Sequence, residues 1–329
     1  MRGTNVVDSI TKTAVSRSEA ELVVAAAFGR TASLESMAEC DEGWFNAVHL
    51  VALADGTECV LKVAPPPQVR VLRYEHDLIT TEVDTLRLLR ERTDLPVPAV
   101  LAWDDSCHLL PSPWFVMERC PGVLLSTLRP TLSTGDQQRI DAQLAGHLAT
   151  MNAIVAPSFG RPDPTAPHDP TWGTAFARLV EDLLADATDA SVDLPLPPDG
   201  FAEIVAHSQP QLDQVTSPRV VHWDLWDTNV FVDPDSHEVV GLIDFERVLW
   251  ADPLMEAQFV GKRTNHPIVD AYGEPLFDHP GAAERRRLYD LYLSLVMTIE
   301  CACRNYPTDD IESLARPMLD AVIAEITAA

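Results

Sequence analysis

Apolar residues in the first third of the chain follow the pattern of a small β-sheet. Two β-rich runs, residues 45–53 and 58–64, flank Ala54-Asp55-Gly56-Thr57. An Asp-Gly pair between such runs is typical of a tight hairpin turn. Two more apolar runs, residues 99–103 and 114–117, extend the predicted sheet.

Helical spacing appears on both sides of these strands. Ser18 and Glu21 have the spacing of a capping box, and they precede an apolar segment that ends at Gly29. Residues 78–92 carry Val83, Leu86 and Leu89 at helical spacing and are followed by prolines. We therefore predict an N-terminal helix, and one main helix inserted between strands of the sheet.

The pattern becomes mainly helical after Pro121-Gly122. Residues 136–154 place Ile140, Leu144 and Leu148 on one face, residues 172–187 form another helix, and residues 283–326 form two more. Pro-rich loops are predicted at 157–170 and 194–200, and a short strand pair at 230–232 and 239–243. The pattern predicts an α+β protein with a small sheet lobe, residues 1–119, and a larger helical lobe, residues 120–329.

Charge and composition exclude several functional classes. Fifty acidic residues against 24 basic ones give a net charge of −26, with 46% hydrophobic residues. Such a field repels nucleic-acid phosphates and anionic lipids, and it attracts Mg²⁺ or a cationic substrate. Met1 to Ile10 lack the pattern of a secretory signal, residues 288–303 are too short and too charged for a membrane span, and the six cysteines show no C-x-x-C pair. We therefore expect a cytoplasmic protein without nucleic-acid or membrane partners.

One lysine has an unusual position, because Lys62 lies inside an apolar strand. An unpaired buried ammonium is costly, so this side chain needs solvent or an acidic partner. An edge strand would expose it to solvent. A functional lysine would instead pair with Glu82 in the following helix, with Glu75 as the second candidate, and would then point its ammonium at phosphate oxygens.

A second candidate site has the form H-x-D-x-x-x-x-N followed by D. His222, Asp224 and Asn229 are followed by a short strand pair and then by Asp244. The aspartate could accept a hydrogen bond from a hydroxyl, while Asn229 and Asp244 could bind a hard cation. Polar residues that merely cap turns are one alternative. A His-Asp metallohydrolase is another, although a second histidine at ligand spacing is missing.

With these motifs in place, the sequence resembles the aminoglycoside phosphotransferase family, which has a protein-kinase-like fold. The resemblance rests on four segments in the family's order, TEVDTLRLL, DLPVPAVLAW, WFVMERCPGVLL and HWDLWDTNVF with GLIDFERVLWADPLMEAQF. These segments cover most of residues 45–259. The resemblance implies a bilobal fold and an ATP-dependent kinase that uses Mg²⁺.

Roles at the phosphates follow from the same resemblance. It implies that Lys62 contacts the nucleotide phosphates and that Glu82 fixes this lysine. Asp224 becomes the catalytic aspartate, and Asn229 and Asp244 become the Mg²⁺ ligands.

Roles away from the phosphates are also implied. The backbone of Glu118 and Cys120 would bind the adenine edge, with Met117 at the back of the pocket. His222 would be structural, and Asp252 would brace the catalytic loop.

Two departures from protein kinases favour a small acceptor. The loop at 42–46 has one glycine where protein kinases carry G-x-G-x-x-G. Asn46 is the candidate site residue in this loop. Asp244-Phe245-Glu246 lacks the glycine of D-F-G, and no A-P-E follows. A regulated activation loop is therefore not expected.

Three functional hypotheses remain open. The first is an antibiotic kinase acting on an aminoglycoside, macrolide or nucleoside-sugar compound; the second is a metabolite kinase for an amino sugar, a choline-like compound or a glycated amine. The third is an inactive binding module, which would be expected to lack one of the site residues. We expect the acceptor between the catalytic loop, residues 172–187 and the terminal helices, where Glu181, Asp182 and Glu300 are candidates to contact a cation.

Overall fold

A computed structural model describes residues 11–40, 45–162, 169–260, 267–304 and 310–328. Residues 42–44 of the predicted phosphate-covering loop and residues 163–168 of the first Pro-rich loop lie outside these ranges. Among the helices of the described ranges, none combines the length and apolarity needed to cross a membrane.

The N-terminal part is built on one antiparallel sheet of five strands in the order β1-β2-β3-β5-β4. The strands are β1 (Leu34–Glu39), β2 (Ala47–Leu53), β3 (Glu58–Val63), β4 (Val100–Asp104) and β5 (Trp114–Glu118). The β2–β3 hairpin turns at Gly56, whose φ of 89° suits glycine, as the Asp-Gly signal predicts. Strand β1 was not predicted, because four of its six residues are exposed at the sheet edge and so lack an apolar alternation.

Two helices accompany this sheet. Helix α1 (Arg17–Phe28) begins two residues earlier than predicted, since the capping box is formed by Ser16 and Glu19. The prediction of Ser18 and Glu21 was wrong because both pairs share the S-x-x-E spacing and only the backbone decides between them. Helix α2 (Leu78–Arg92) has the predicted bounds, and it buries Val83 completely.

The C-terminal part is mainly helical. Its helices are α3 (Leu125–Leu128), α4 (Thr134–Asn152), α5 (Trp172–Ala190), α6 (Pro198–His207), α7 (Gln209–Leu212), α8 (Pro267–Tyr272), α9 (Ala282–Arg304) and α10 (Asp310–Thr327). Short strands also occur in this part of the chain: β6 (Val123–Leu124), β7 (Arg219–Val221), β8 (Val230–Val232), β9 (Val239–Leu242) and β10 (Leu249–Ala251). Helix α6 corrects the prediction of a loop at 194–200, because Pro198 occupies a first-turn position, where its missing N–H costs nothing.

The chain passes between the lobes at Gly122, and one of the apolar clusters extends across both lobes. Gly122 has a φ of 83°, and a Cβ there would lie 2.5 Å from the Val232 carbonyl oxygen, so the chain enters the second lobe through a glycine. A single apolar cluster runs from Val83 in α2 through Phe115 in β5 to Leu144 in α4. The α+β, two-lobed architecture predicted from the sequence is confirmed, while the boundary at 119/120 stays a prediction.

Candidate active site

Lys62 on β3 lies at the centre of a cluster of three carboxylates. Its Nζ donates to Glu82 Oε2 and to Asp244 Oδ1, each at 2.6 Å, and lies 3.0 Å from Glu246 Oε2. The predicted pairing of Lys62 with Glu82 is therefore present. Glu75 was the second candidate, and the structure instead pairs it with Arg304. We call Lys62, Glu82, Asp244 and Glu246 the Lys62 cluster.

The charges of the Lys62 cluster do not balance. One ammonium faces three carboxylates, whose oxygens all lie within 4.8 Å of one another. Nearby Asp244 and Glu246 carboxylates outweigh burial and raise the pKa of Lys62, while burial raises the pKa of Glu82 to about 8. The lysine therefore stays protonated. Oxygen donors with surplus negative charge fit a hard divalent cation such as Mg²⁺.

Local backbone geometry aims two of these carboxylates. Asp244 leaves β9 with a φ of 69°, a left-handed conformation that is uncommon outside glycine, and opens the 3₁₀ turn Phe245–Arg247. The turn brings Glu246 back toward Lys62, and Asn46 Nδ2 donates to Glu246 Oε2 at 2.6 Å. Sequence reasoning missed Glu246. A signal existed, because a buried acid two residues after Asp244 needs a cation or a donor.

Asp224 lies on the loop between β7 and β8, and each of its carboxylate oxygens has a partner. The indole Nε1 of Trp226 donates to Oδ1 at 2.8 Å, and Arg247 Nε lies 3.6 Å from Oδ2. Burial raises the pKa of this carboxyl above its ordinary value. Asn229 donates from Nδ2 to the Asp224 carbonyl at 2.8 Å, so its Oδ1 is the atom suited to a metal. Ile243, just before Asp244, donates its N–H to the Asn229 carbonyl.

A buried glutamate holds the start of this loop. Glu256 accepts the backbone N–H groups of His222 and Trp223, each at 3.1 Å, and the side-chain N–H of Asn152 at 2.9 Å. We call Glu256 and these donors the loop anchor. Trp223 has a φ of 64°, so the chain turns sharply where the anchor grips it. Asp252 was predicted to brace the loop, but its contacts run to Arg285 and Tyr289 of α9. The correction has a simple reason, since sequence spacing cannot show which of two nearby acids faces the loop.

His222 is buried beneath the same loop. Its Nδ1 accepts the Asp224 N–H at 3.3 Å, so Nε2 carries the proton and donates to the Ile243 carbonyl at 3.0 Å. Burial lowers the pKa of the imidazole, which favours this neutral form.

Met117, predicted for the back of the adenine pocket, and Glu118, predicted for its edge, end β5, and Cys120 follows two residues later. Met117 is buried, and Glu118 is exposed. The Glu118 N–H donates to the Ala99 carbonyl at 3.0 Å, so this N–H already has a partner. Burial raises the pKa of Cys120 to about 12, which makes it an unreactive thiol close to Gly122, where the chain enters the second lobe.

Arg247 fills much of the space between the catalytic loop and α9. Its guanidinium lies 5.5 Å from the ring centre of Tyr74 and 5.8 Å from that of Trp223, and it donates to Glu300 at 2.9 Å. A narrow cavity of about 20 Å³ remains beside it. Glu300, a predicted contact for a cationic acceptor, is thus engaged by Arg247 and by Tyr74 in this arrangement.

The two other predicted contacts for a cationic acceptor lie on α5. Glu181 is exposed, and Asp182 is half-buried, with burial raising the pKa of its carboxyl.

Most of the chain is similar to proteins of a known family. Residues 36–291 match the model of the phosphotransferase enzyme family, which is most of the chain. The chain belongs to the phosphotransferase enzyme family. This confirms the resemblance and the assignment as a kinase-type phosphotransferase, and the matched range contains the residues predicted to bind the nucleotide and metal and the predicted catalytic Asp224, but not Glu300.

Solved structures of this family share the fold. A candidate fructosamine-3-kinase from Thermobifida fusca superposes with a TM-score of 0.63 at 22% identity, covering 92% of this chain and 99% of that one. A thermostable aminoglycoside phosphotransferase APH(4)-Ia, solved with AMP-PNP and hygromycin B, gives 0.63 at 17% identity, covering 92% and 97%. The streptomycin–ATP complex of APH(2″)-IIa gives 0.59 at 15% identity, covering 96% and 98%. These likenesses confirm the predicted protein-kinase-like fold.

The curated relatives are much longer than this chain. Mouse acyl-CoA dehydrogenase family member 10 is 24% identical over 226 residues, which is 67% of this chain and 19% of that protein. A subtelomeric hrmA-associated cluster protein of Aspergillus fumigatus is 29% identical over 110 residues, or 33% of this chain and 21% of that protein. The chain thus spans about a fifth of the length of the curated relatives it matches.

Proposed function

We propose that this phosphotransferase moves the γ-phosphate of ATP to a hydroxyl of a small molecule, with Mg²⁺ as its metal. The observation that carries the proposal is the Lys62 cluster, in which a buried, protonated lysine meets a surplus of carboxylates. Two of these carboxylates follow β9, where Ile243 N–H donates to the Asn229 carbonyl of the Asp224 loop. Phosphoryl transfer depends mainly on positioning and on neutralising charge, and this cluster supplies both.

Each side chain has a distinct part in the proposed reaction. Asp224 accepts the proton of the acceptor hydroxyl while that oxygen forms its bond to the γ-phosphorus, and the bond to the β,γ-bridging oxygen breaks to release ADP. Lys62 binds the phosphates, and Glu82 holds its ammonium in place. Asp244 and Asn229 would hold Mg²⁺, and we add Glu246 to these two ligands. The ion would neutralise charge on the phosphates.

The nucleotide's base is proposed to bind where β5 ends. Met117 would close the back of the pocket, and the backbone of Glu118 and Cys120 would read the adenine edge. Similar structures contain ATP or AMP-PNP, and others contain GDP, so both ATP and GTP belong in any assay.

For the acceptor we propose an antibiotic of the aminoglycoside, macrolide or nucleoside-sugar type. Support comes from the similar structures that hold streptomycin, gentamicin, kanamycin or hygromycin B. A metabolite kinase for an amino sugar, a choline-like compound or a glycated amine is the second candidate, which the likeness to a candidate fructosamine-3-kinase favours. An inactive binding module agrees less well, since Lys62, Asp224, Asn229 and Asp244 are all present.

One experiment tests both the reaction and its acceptor. Purified protein is incubated with Mg-ATP or Mg-GTP and, separately, with kanamycin, streptomycin, hygromycin B, glycated lysine, choline or glucosamine, and products are scored by mass. We expect one compound class to gain a single phosphoryl group. Asp224→Asn is the control, because it retains the side-chain shape without the proton acceptor, and general bases contribute about 10²- to 10⁴-fold. Equal turnover by Asp224→Asn and the parent would refute the assigned base.

A further inference from the structure

Trp226 is partly exposed, yet its side chain makes a polar contact with the catalytic aspartate. Its indole N–H donates to Oδ1 of Asp224 at 2.8 Å, while 37% of the residue remains exposed. Exposed tryptophans are uncommon because their large apolar surface favours burial. The bond therefore places an aromatic ring at the solvent edge of the catalytic loop.

The loop does not need this side chain for its own shape. Trp226 N–H donates to the Asp224 carbonyl at 3.0 Å, and Asn229 N–H donates to the Trp226 carbonyl at 2.8 Å. Both bonds are made by backbone atoms, and the loop anchor holds the other end. Any residue other than proline could make the Trp226 backbone contacts, so they do not explain a tryptophan.

Packing does not force the indole toward Asp224 either. Trp226 borders an open cleft of about 510 Å³, whose walls include Arg129, Thr228 and Gln258. The ring has room on that side, yet its N–H points at the carboxylate. The observed orientation therefore reflects the hydrogen bond to Asp224.

We propose that Trp226 is a positioning residue for the base, and this inference rests on the proposed function. The terminal torsion of an aspartate is broad, so an unrestrained carboxylate rotates over a wide range. The indole N–H holds Oδ1, which leaves Oδ2, beside Arg247, to take the proton of the acceptor hydroxyl. Without the N–H, fewer molecules present Oδ2 to the hydroxyl, and turnover falls while nucleotide binding is unchanged.

Trp226→Phe is the matched change, since it removes the N–H and retains an aromatic ring. The assay is hydrolysis of Mg-ATP by water, which needs no identified acceptor, measured as kcat and as KM for ATP. We expect kcat to fall about tenfold, in keeping with a hydrogen bond to a charged group, and KM for ATP to stay within twofold. Trp226→His restores an N–H donor and should recover most of the loss. Trp103→Phe, on the edge strand β4, is the control for a general effect of losing an indole.

A double-variant cycle separates positioning from a structural effect. If Trp226 acts through Asp224, then Asp224→Asn with Trp226→Phe should be no slower than Asp224→Asn alone. The indole N–H resonance that disappears in Trp226→Phe should also shift in Asp224→Asn. Additive losses, an unchanged kcat in Trp226→Phe, or failure of Trp226→His to recover activity while folding normally would overturn the inference. Full activity of Asp224→Asn would instead overturn the proposed function itself.

Discussion

The Lys62 cluster and the loop anchor both bury carboxylates beside the catalytic loop, yet they neutralise them differently. In the Lys62 cluster three carboxyl groups share one ammonium, which leaves a surplus of negative charge from Asp244 and Glu246 even when Glu82, whose pKa is about 8, is protonated. In the loop anchor one carboxylate accepts three N–H groups, two of them from the backbone. Buried charge without a full set of partners is costly, so a surplus persists where a ligand completes it.

The balance of charge around the buried carboxylates, and not their burial, distinguishes the Lys62 cluster from the loop anchor. Glu82 and Glu256 are both almost completely buried, and burial raises the pKa of Glu82 to about 8 and of Glu256 to about 7. Only the partners differ between the two. Changes in the Lys62 cluster should therefore affect turnover and metal binding, whereas changes in the loop anchor should affect stability first.

Lys62→Ala should have the largest effect. It removes the ammonium that would hold the phosphates, and we expect turnover to fall by about 10³-fold, a typical scale for a lost catalytic charge. Thermal unfolding should show a folded protein. Lys12→Ala is a suitable control, because Lys12 pairs with Glu39 on the outer strand and not with the site. Turnover close to that of the parent would show that Lys62 is only a strand residue.

Asp244→Asn should have the next largest effect and differ in kind from Asp224→Asn. Loss of one negative charge reduces the surplus, so Mg²⁺ and nucleotide should bind at least about tenfold more weakly, and excess Mg²⁺ should recover part of the turnover. Asp224→Asn should bind the same nucleotide like the parent. Calorimetric titration with Mg²⁺ and a non-hydrolysable ATP analogue distinguishes them, and equal binding by both variants would contradict the assigned metal ligand.

Glu256→Gln tests the other half of the comparison. The amide can still accept one backbone N–H, but its NH₂ group then faces the second donor, so we expect a loss of about 1 to 3 kcal/mol in the free energy of unfolding. Urea denaturation measures it. The affinity for Mg-nucleotide should stay near that of the parent, since the charge of the Lys62 cluster is unchanged. Weakened nucleotide binding with normal stability would reverse the roles we assign to the two clusters.

His222 should make the smallest contribution, visible only in acid. Its pKa is lowered by burial in the folded protein, so its stabilisation is present above the unfolded pKa, about 6.5, and is lost as the pH falls below that value. His222→Gln removes this titration. Between pH 7.5 and pH 5.5 the parent should therefore lose about 1 kcal/mol more stability than the variant. An equal loss in both proteins would mean that the pKa of His222 is the same in the folded and the unfolded protein.

Sequence reasoning predicted the presence of most helices and strands more reliably than it predicted where they begin and end. The Asp-Gly hairpin and the bounds of α2 followed from local signals, and the family match confirmed the phosphotransferase assignment. Capping at Ser16, strand β1 and helix α6 were missed or misplaced. Each of these depends on a choice that local patterns leave open: two equivalent capping boxes, an edge strand without alternation, and a proline that either breaks or begins a helix.

The sequence by itself determined which residue types are present and in what order, and this sufficed to predict the fold class and the pairing of Lys62 with Glu82. Only the tertiary structure decided that Glu246 joins that pair, that Glu256 and not Asp252 holds the loop, and that Trp226 and Arg247 face Asp224. Those contacts depend on side-chain directions, and all except the one between Trp226 and Asp224 join residues from separate parts of the chain. A left-handed residue such as Asp244 sets these directions, and no spacing along the chain reveals them.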